Sequence, residues 1–120
     1  MFRTILAGTI VIAALATAST AAADYAAIAY SKSTKSYGYS YNHGSRDAAE
    51  AAALNRCDGY DKKIVVWVHN GWCALALGDG TGYGYGWSTG CRQCAKNRAL
   101  EECSQRTSNG HIVVSVFSGY

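Results

Sequence analysis

Between Tyr25 and Ser31 apolar and small residues alternate weakly, and between Tyr37 and Tyr41 they alternate strongly, with the polar run Lys32-Ser33-Thr34-Lys35-Ser36 separating the two. A period of two marks a strand, so this stretch predicts a hairpin with Tyr37, Tyr39 and Tyr41 on one face and Gly38 and Ser40 on the other. The pattern then changes. Ser45 stands where a helix N-cap belongs, Asp47 falls in the first turn, where the helix dipole favours negative charge, and residues 46–57 are rich in alanine. Asp58-Gly59 ends that helix, and Lys63 to His69, through Ile64-Val65-Val66-Trp67-Val68, forms the strand richest in β-branched and aromatic residues.

The same order recurs in the second half. Cys73 to Leu77 and Tyr83 to Trp87 flank a Gly78-Asp79-Gly80-Thr81-Gly82 turn, residues 91–103 read as helix, and Ile112 to Phe117 as the last strand. Tyr37 to Arg46 lies over Tyr83 to Arg92 at a constant offset of 46, which also carries Ala49 onto Ala95, Ala53 onto Ala99, Leu54 onto Leu100 and Cys57 onto Cys103. The expected fold is α+β: two tandem ββαβ repeats, about 25–71 and 72–120, related by a pseudo-twofold axis, with six strands in an antiparallel or mixed sheet system and two helices. Ala49, Ala53 and Cys57, like Ala95, Ala99 and Cys103, give each helix a small face that approaches a sheet closely. Asn70-Gly71 between two apolar runs predicts a type I′ hairpin, pairing the last strand of the first repeat with the first strand of the second. Neither half completes a core alone, so residues 24–120 are expected to form a single domain.

Residues 1–23 read as a signal peptide. Arg3 precedes the apolar run Ile5 to Ala16, and Ala21-Ala22-Ala23 supplies the small residues of a cleavage site after Ala23. The run falls short of the ~20 apolar residues of a membrane span, and no later segment approaches that length, so the mature chain is expected to have no span. The chain is thus expected to be secreted or periplasmic. Its formal charge of +3 becomes +2 without Arg3, and Lys62-Lys63 is its only adjacent basic pair, far from the basic runs of a nucleic-acid binder.

Five cysteines in an exported chain imply an oxidising compartment and at least one disulfide. Cys57 closes the first helix on its buried face and Cys73 opens a strand reached through one strand and the expected hairpin, so a Cys57–Cys73 bridge is expected. Cys91-Arg92-Gln93-Cys94 opens the second helix, where the dipole favours a thiolate and Arg92 adds positive charge. A redox role for Cys91 and Cys94 is physically sensible, and a structural one, with one of the two bridging to another element, is the simpler reading. Zinc is disfavoured, since there is no second C-x-x-C and His43, His69 and His111 are isolated.

Tyr37, Tyr39, Tyr41, Tyr83, Tyr85 and Trp87 offer an aromatic platform for sugar, peptide or single-stranded nucleic acid, although the last also calls for a positive groove. Their simpler role is to pack one strand face against a helix or the partner repeat, with hydroxyls at the edge. No G-x-S-x-G elbow occurs, and Asp47, Glu50, Glu101 and Glu102 occupy polar or flanking helix positions, so no catalytic residue is assigned.

The opening Tyr25-Ala26-Ala27-Ile28-Ala29-Tyr30-Ser31, the Tyr37-Gly38-Tyr39-Ser40-Tyr41 strand, the alanine-rich helix ending in Cys57, and Val65-Val66-Trp67-Val68 through Cys73-Ala74-Leu75-Ala76 resemble the bacterial exported family called domain of unknown function 4189. The resemblance covers essentially all of the mature chain. It implies a small exported domain with a repeated aromatic–glycine strand, and it brings no reaction, cofactor or catalytic residue. The resulting expectation is a non-enzymatic module that binds a protein or another envelope component through its aromatic strands or loops. The alternative is a periplasmic thiol-redox protein using Cys91 and Cys94.

Overall fold

Alternation, caps and β-branched runs produce eight elements in the computed structural model, which describes residues 24–119; the expected signal peptide and its cleavage point after Ala23 lie outside them. In order they are β1 (Tyr25–Ser31), β2 (Ser36–His43), α1 (Arg46–Asn55), β3 (Lys63–His69), β4 (Gly71–Leu77), β5 (Tyr83–Ser88), α2 (Arg92–Ser104) and β6 (His111–Ser118). The order ββαβ therefore occurs twice. Ser45 caps α1 as its sequence position suggests, its Oγ accepting the Ala48 N–H at 3.1 Å.

The strands form two three-stranded antiparallel sheets, ordered β2-β1-β3 and β5-β4-β6. This corrects the expected hairpin at Asn70-Gly71: β3 pairs with β1 and β4 with β5 and β6, so the chain crosses from one sheet to the other there. A type I′ turn needs positive φ at both central residues, and only Asn70 has it, at 57°. Gly71 is required instead for space, because a Cβ there would lie 2.6 Å from the Ser88 carbonyl oxygen. The Asn70 N–H donates to the Asp24 carbonyl at 2.9 Å, tying the crossover to the start of β1.

The two sheets stack face to face, with β1 on β4, β2 on β6 and β3 on β5. Exchanging β1, β2 and β3 for β4, β5 and β6 leaves that pattern unchanged, as a twofold relation between the halves requires. Ala26, Ile28, Tyr30, Val66 and Val68 from one sheet interlock with Cys73, Leu75, Val114 and Val116 from the other. Leu75 is fully buried, which is worth roughly 2 kcal/mol from its apolar area. A register shift recurs at the same place in both sheets, between Ile28 and Ala29 opposite β3 and between Leu75 and Ala76 opposite β6. It leaves Val65 and Val113 as extra residues. Each then packs on the inter-sheet core beside Val66 or Val114, which explains the unbroken valine runs.

Each outer face carries a helix. Ala27 and Ala29 meet Ala49, Ala53 and Cys57 under α1, and Ala74 and Ala76 meet Ala95, Ala99 and Cys103 under α2. The approach is so close that a Cβ on Gly38 would lie 2.5 Å from the Ala53 carbonyl oxygen, and one on Gly84 2.3 Å from that of Ala99. Ser40 uses the same proximity to donate from its Oγ to the Ala49 carbonyl at 2.6 Å. The result is a four-layer stack of helix, sheet, sheet and helix. No helix among the described residues is long and apolar enough to cross a membrane.

Candidate functional site

Register decides where the aromatic residues point. Tyr37 and Tyr39 stand opposite Tyr30 and Ile28, and Tyr83 and Tyr85 opposite Leu77 and Leu75, so both rows face the inter-sheet side and the small residues face the helices. Because β3 stacks on β5 and β2 on β6, β2 and β5 lie on opposite flanks. The six rings therefore form two rows, not one platform. Tyr83 packs against the inter-sheet core, while the outer rings overhang the flanks: Tyr39, Tyr41, Tyr85 and Trp87 are 41%, 51%, 39% and 49% exposed. The innermost ring of each row is anchored, Tyr37 by its hydroxyl donating to the Val113 carbonyl at 3.4 Å and Tyr83 by packing at 4.9 Å on buried Tyr30. Burial raises the Tyr30 phenol above its ordinary value, with the Tyr83 charge adding to the effect.

Arginines close the outer edges of both rows. Arg56 Nη1 donates to the Tyr39 carbonyl at 2.9 Å, and Arg106 Nη1 to the Tyr83 carbonyl at 3.3 Å. Each bond occupies one carbonyl of an edge strand, Tyr39 on β2 and Tyr83 on β5.

On the β3–β5 flank Trp67, Val68, His69, Trp87 and Thr89 line an open, mainly apolar cleft of about 290 Å³. Trp67 lies on the outer side of its sheet, with the Arg46 guanidinium 4.3 Å from its ring centre. Tyr25 stacks on His69 at 4.2 Å, and His69 Nε2 stands 3.0 Å from Oδ1 of buried Asp24, an ion pair when the imidazole is protonated. Thr89 and Asp24 carry no pattern in the sequence, while Trp67 is marked there only as a strand residue and His69 only as an isolated histidine. Pairing of β1 with β3 brings Asp24 to His69, and the stacking of the two sheets adds Trp87 and Thr89 to the same flank.

The cysteines depart most from expectation. Cys91 and Cys94 are bonded to each other, with Cα atoms 5.2 Å apart, and neither reaches another element. Cys91 is also the N-cap of α2, its Sγ accepting the Cys94 N–H at 3.0 Å, in the role that Ser45 plays for α1. The expected Cys57–Cys73 bridge is corrected: both are free thiols, as is Cys103. Cys57 lies between α1 and the first sheet, whereas the crossover at Asn70 and the alternation of β4 turn Cys73 into the inter-sheet core. A sheet separates the two. Desolvation pushes the Cys73 thiol up to about 12 and raises those of Cys57 and Cys103, Cys57 despite its contact with Ser36. These three are poor nucleophiles by burial and protonation alike.

Acidic residues tie loops together at the end of the molecule near Ser31. Asp61 accepts from Ser31 Oγ, from Ser33 N–H at 3.0 Å and from Ser33 Oγ at 2.7 Å, and these bonds hold its carboxyl below the ordinary range. In the second half Asp79 plays the matching part, accepting from Asn109 Nδ2 at 2.7 Å and, through its carbonyl, from Thr107 Oγ1. Each tie joins a strand–strand turn to the loop leaving a helix. Among the described residues no cluster of three or more histidine, cysteine, aspartate or glutamate side chains could hold a metal ion.

The family model described as Domain of unknown function (DUF4189) matches residues 25–117. No curated protein and no solved structure matches the chain. Since the family match runs from the first residue of β1 to the penultimate residue of β6, spanning every element of the fold, the chain belongs to the DUF4189 family of domains of unknown function.

Proposed function

We propose that this protein is an exported, non-enzymatic binding module that recognises a protein or another envelope component through its flanking aromatic rows, in the periplasm or outside the cell. The observation that carries the reading is the placement of Tyr39, Tyr41, Tyr85 and Trp87 on the inter-sheet face of edge strands, half in solvent, where packing alone leaves much of each ring uncovered. Rigid aromatic rings on rigid strands supply contact area at low entropic cost. The cleft between Trp67 and Trp87 makes the β3–β5 flank the better candidate of the two.

A photo-crosslinking side chain placed at Trp87 in the envelope should give a discrete adduct, while one at Glu101, on the exposed side of α2, should give none, with both variants melting as the wild type does. Equal adduct patterns from both positions would overturn the reading. Export itself is tested by N-terminal sequencing of secreted or periplasmic material, which should begin at Asp24.

A second reading, thiol–disulfide exchange at Cys91 and Cys94, is favoured by one observation: the two are bonded to each other at an accessible helix end and not to a distant element.

A further inference from the structure

Two sulfurs of a disulfide are rarely equivalent, and here the structure separates them sharply. Cys94 is exposed on the first turn of α2, whereas Cys91 is half-buried and already accepts a backbone N–H. We propose that an external thiolate attacks Cys94 Sγ and expels the Cys91 thiolate, so that Cys94 carries the mixed disulfide and Cys91 is the resolving thiol; this rests on the thiol-exchange reading above.

Three features converge on that polarity. The N-cap position stabilises negative charge on Cys91 Sγ, because the Cys94 N–H points at it and the unpaired N–H groups of the first turn lie beside it. No carboxylate competes for that end of the helix: α2 has no acidic residue in its first turn, whereas α1 has Asp47. Arg92, next to Cys91 in sequence, adds a positive charge to the first turn, its guanidinium resting 5.0 Å from the Trp72 ring centre. A better-stabilised thiolate leaves faster, and the more exposed cysteine, Cys94, is the one an incoming nucleophile meets first. Cys57, Cys73 and Cys103 are buried, so exchange within the chain does not scramble the pair.

The chemistry balances with a dithiol of another protein, or two molecules of a small thiol, as reductant. The first thiolate forms a bond to Cys94 Sγ as the Cys91–Cys94 bond breaks, and the electron pair of that bond stays on Cys91. The partner's second thiolate then attacks its own sulfur in the mixed disulfide and releases Cys94 as thiolate, which takes a proton from water. Two electrons pass to this protein, and the partner leaves oxidised. Run in reverse, Cys94 attacks a partner disulfide and Cys91 resolves it.

The sequence supplies a clean readout, since trypsin cleaves after Arg92 and places the two cysteines on separate peptides. The oxidised mature chain is mixed with glutathione under conditions that leave it folded, quenched at early times with N-ethylmaleimide, and mapped. Glutathione should appear on Cys94 about tenfold more than on Cys91, with maleimide on Cys91. Equal labelling, or glutathione mainly on Cys91, would overturn the polarity while leaving thiol exchange standing. A disulfide that opens only when the chain unfolds would overturn both.

Discussion

Gly38, Gly84 and Gly86 look like ordinary turn-formers in a list of residues, yet each sits in a strand because a helix backbone lies where its Cβ would be. Their chemistry is the absence of a side chain. The cysteines show the opposite: the same residue type is an accessible disulfide at Cys91 and Cys94 and an inert core filler at Cys57, Cys73 and Cys103. The folded protein should therefore react slowly with a thiol reagent at neutral pH, and unfolding without reductant should release three thiols per chain. A count of one would show a second bridge among Cys57, Cys73 and Cys103 and overturn their assignment as free thiols. At Asp61 the sign of the pH dependence follows from the lowered carboxyl. The unfolded chain binds more protons in the window between the ordinary value of 3.8 and the lowered one, so stability from this group is complete above that window and is lost as pH falls through it. Acid titration of the melting temperature should show this loss, and Asp61→Asn should flatten it; an unchanged acid limb would refute the assignment.

The helices depend on caps and on close approach more than on apolar bulk. Ser45→Ala should cost about 1 kcal/mol by removing the bond to the Ala48 N–H. Gly84→Ala should cost more, on the order of 1–3 kcal/mol, because the new methyl would meet backbone atoms of Ala99 and Cys103 that can yield only if α2 moves off its sheet. Chemical denaturation of the two variants checks the ranking, and a Gly84→Ala protein as stable as the wild type would mean that the helix–sheet contact is loose. Strand and helix positions were legible from alternation, alanine content and the Ser45 cap, since these are local signals. The β1–β2 and β4–β5 hairpins were legible as well, whereas the partner across the Asn70-Gly71 junction was not. Asn70-Gly71 has the composition of a hairpin, but the packing of Gly71 against Ser88 and the bond from Asn70 to Asp24 pull the chain into the other sheet.

The shared layer between the sheets draws on both halves, so neither is expected to stand alone. Residues 24–71 expressed separately would leave Ile28, Val66 and Val68 without the opposing Leu75, Val114 and Val116. That fragment should show no cooperative melt, and Leu75→Ala in the whole chain should cost about 2–5 kcal/mol. A half that melts cooperatively as a monomer would show two autonomous units. Trp67 does not belong to this layer: it lies on the outer side of its sheet and is 38% exposed, so Trp67→Ala should cost no more than roughly 1–2 kcal/mol. The candidate cleft was illegible for the same reason that the core was partly hidden, because its walls come from β3 and β5, which touch only when the sheets stack.

Sequence alone determined the repeated ββαβ order, the alternation that sorts Tyr37, Tyr39 and Tyr41 from Gly38 and Ser40, the small faces of both helices and the cap at Ser45. All of these follow from the period of the chain and from bonds spanning a few residues. The division into two sheets, the overhang of the aromatic rows on opposite flanks, the cleft at Trp67 and Trp87 and the separation of Cys57 from Cys73 were decided only in three dimensions. Each depends on which distant surface a strand covers. Burial of apolar area is non-directional, so a chain that has specified its strands still leaves their partners to whichever stacking removes the most apolar surface from water.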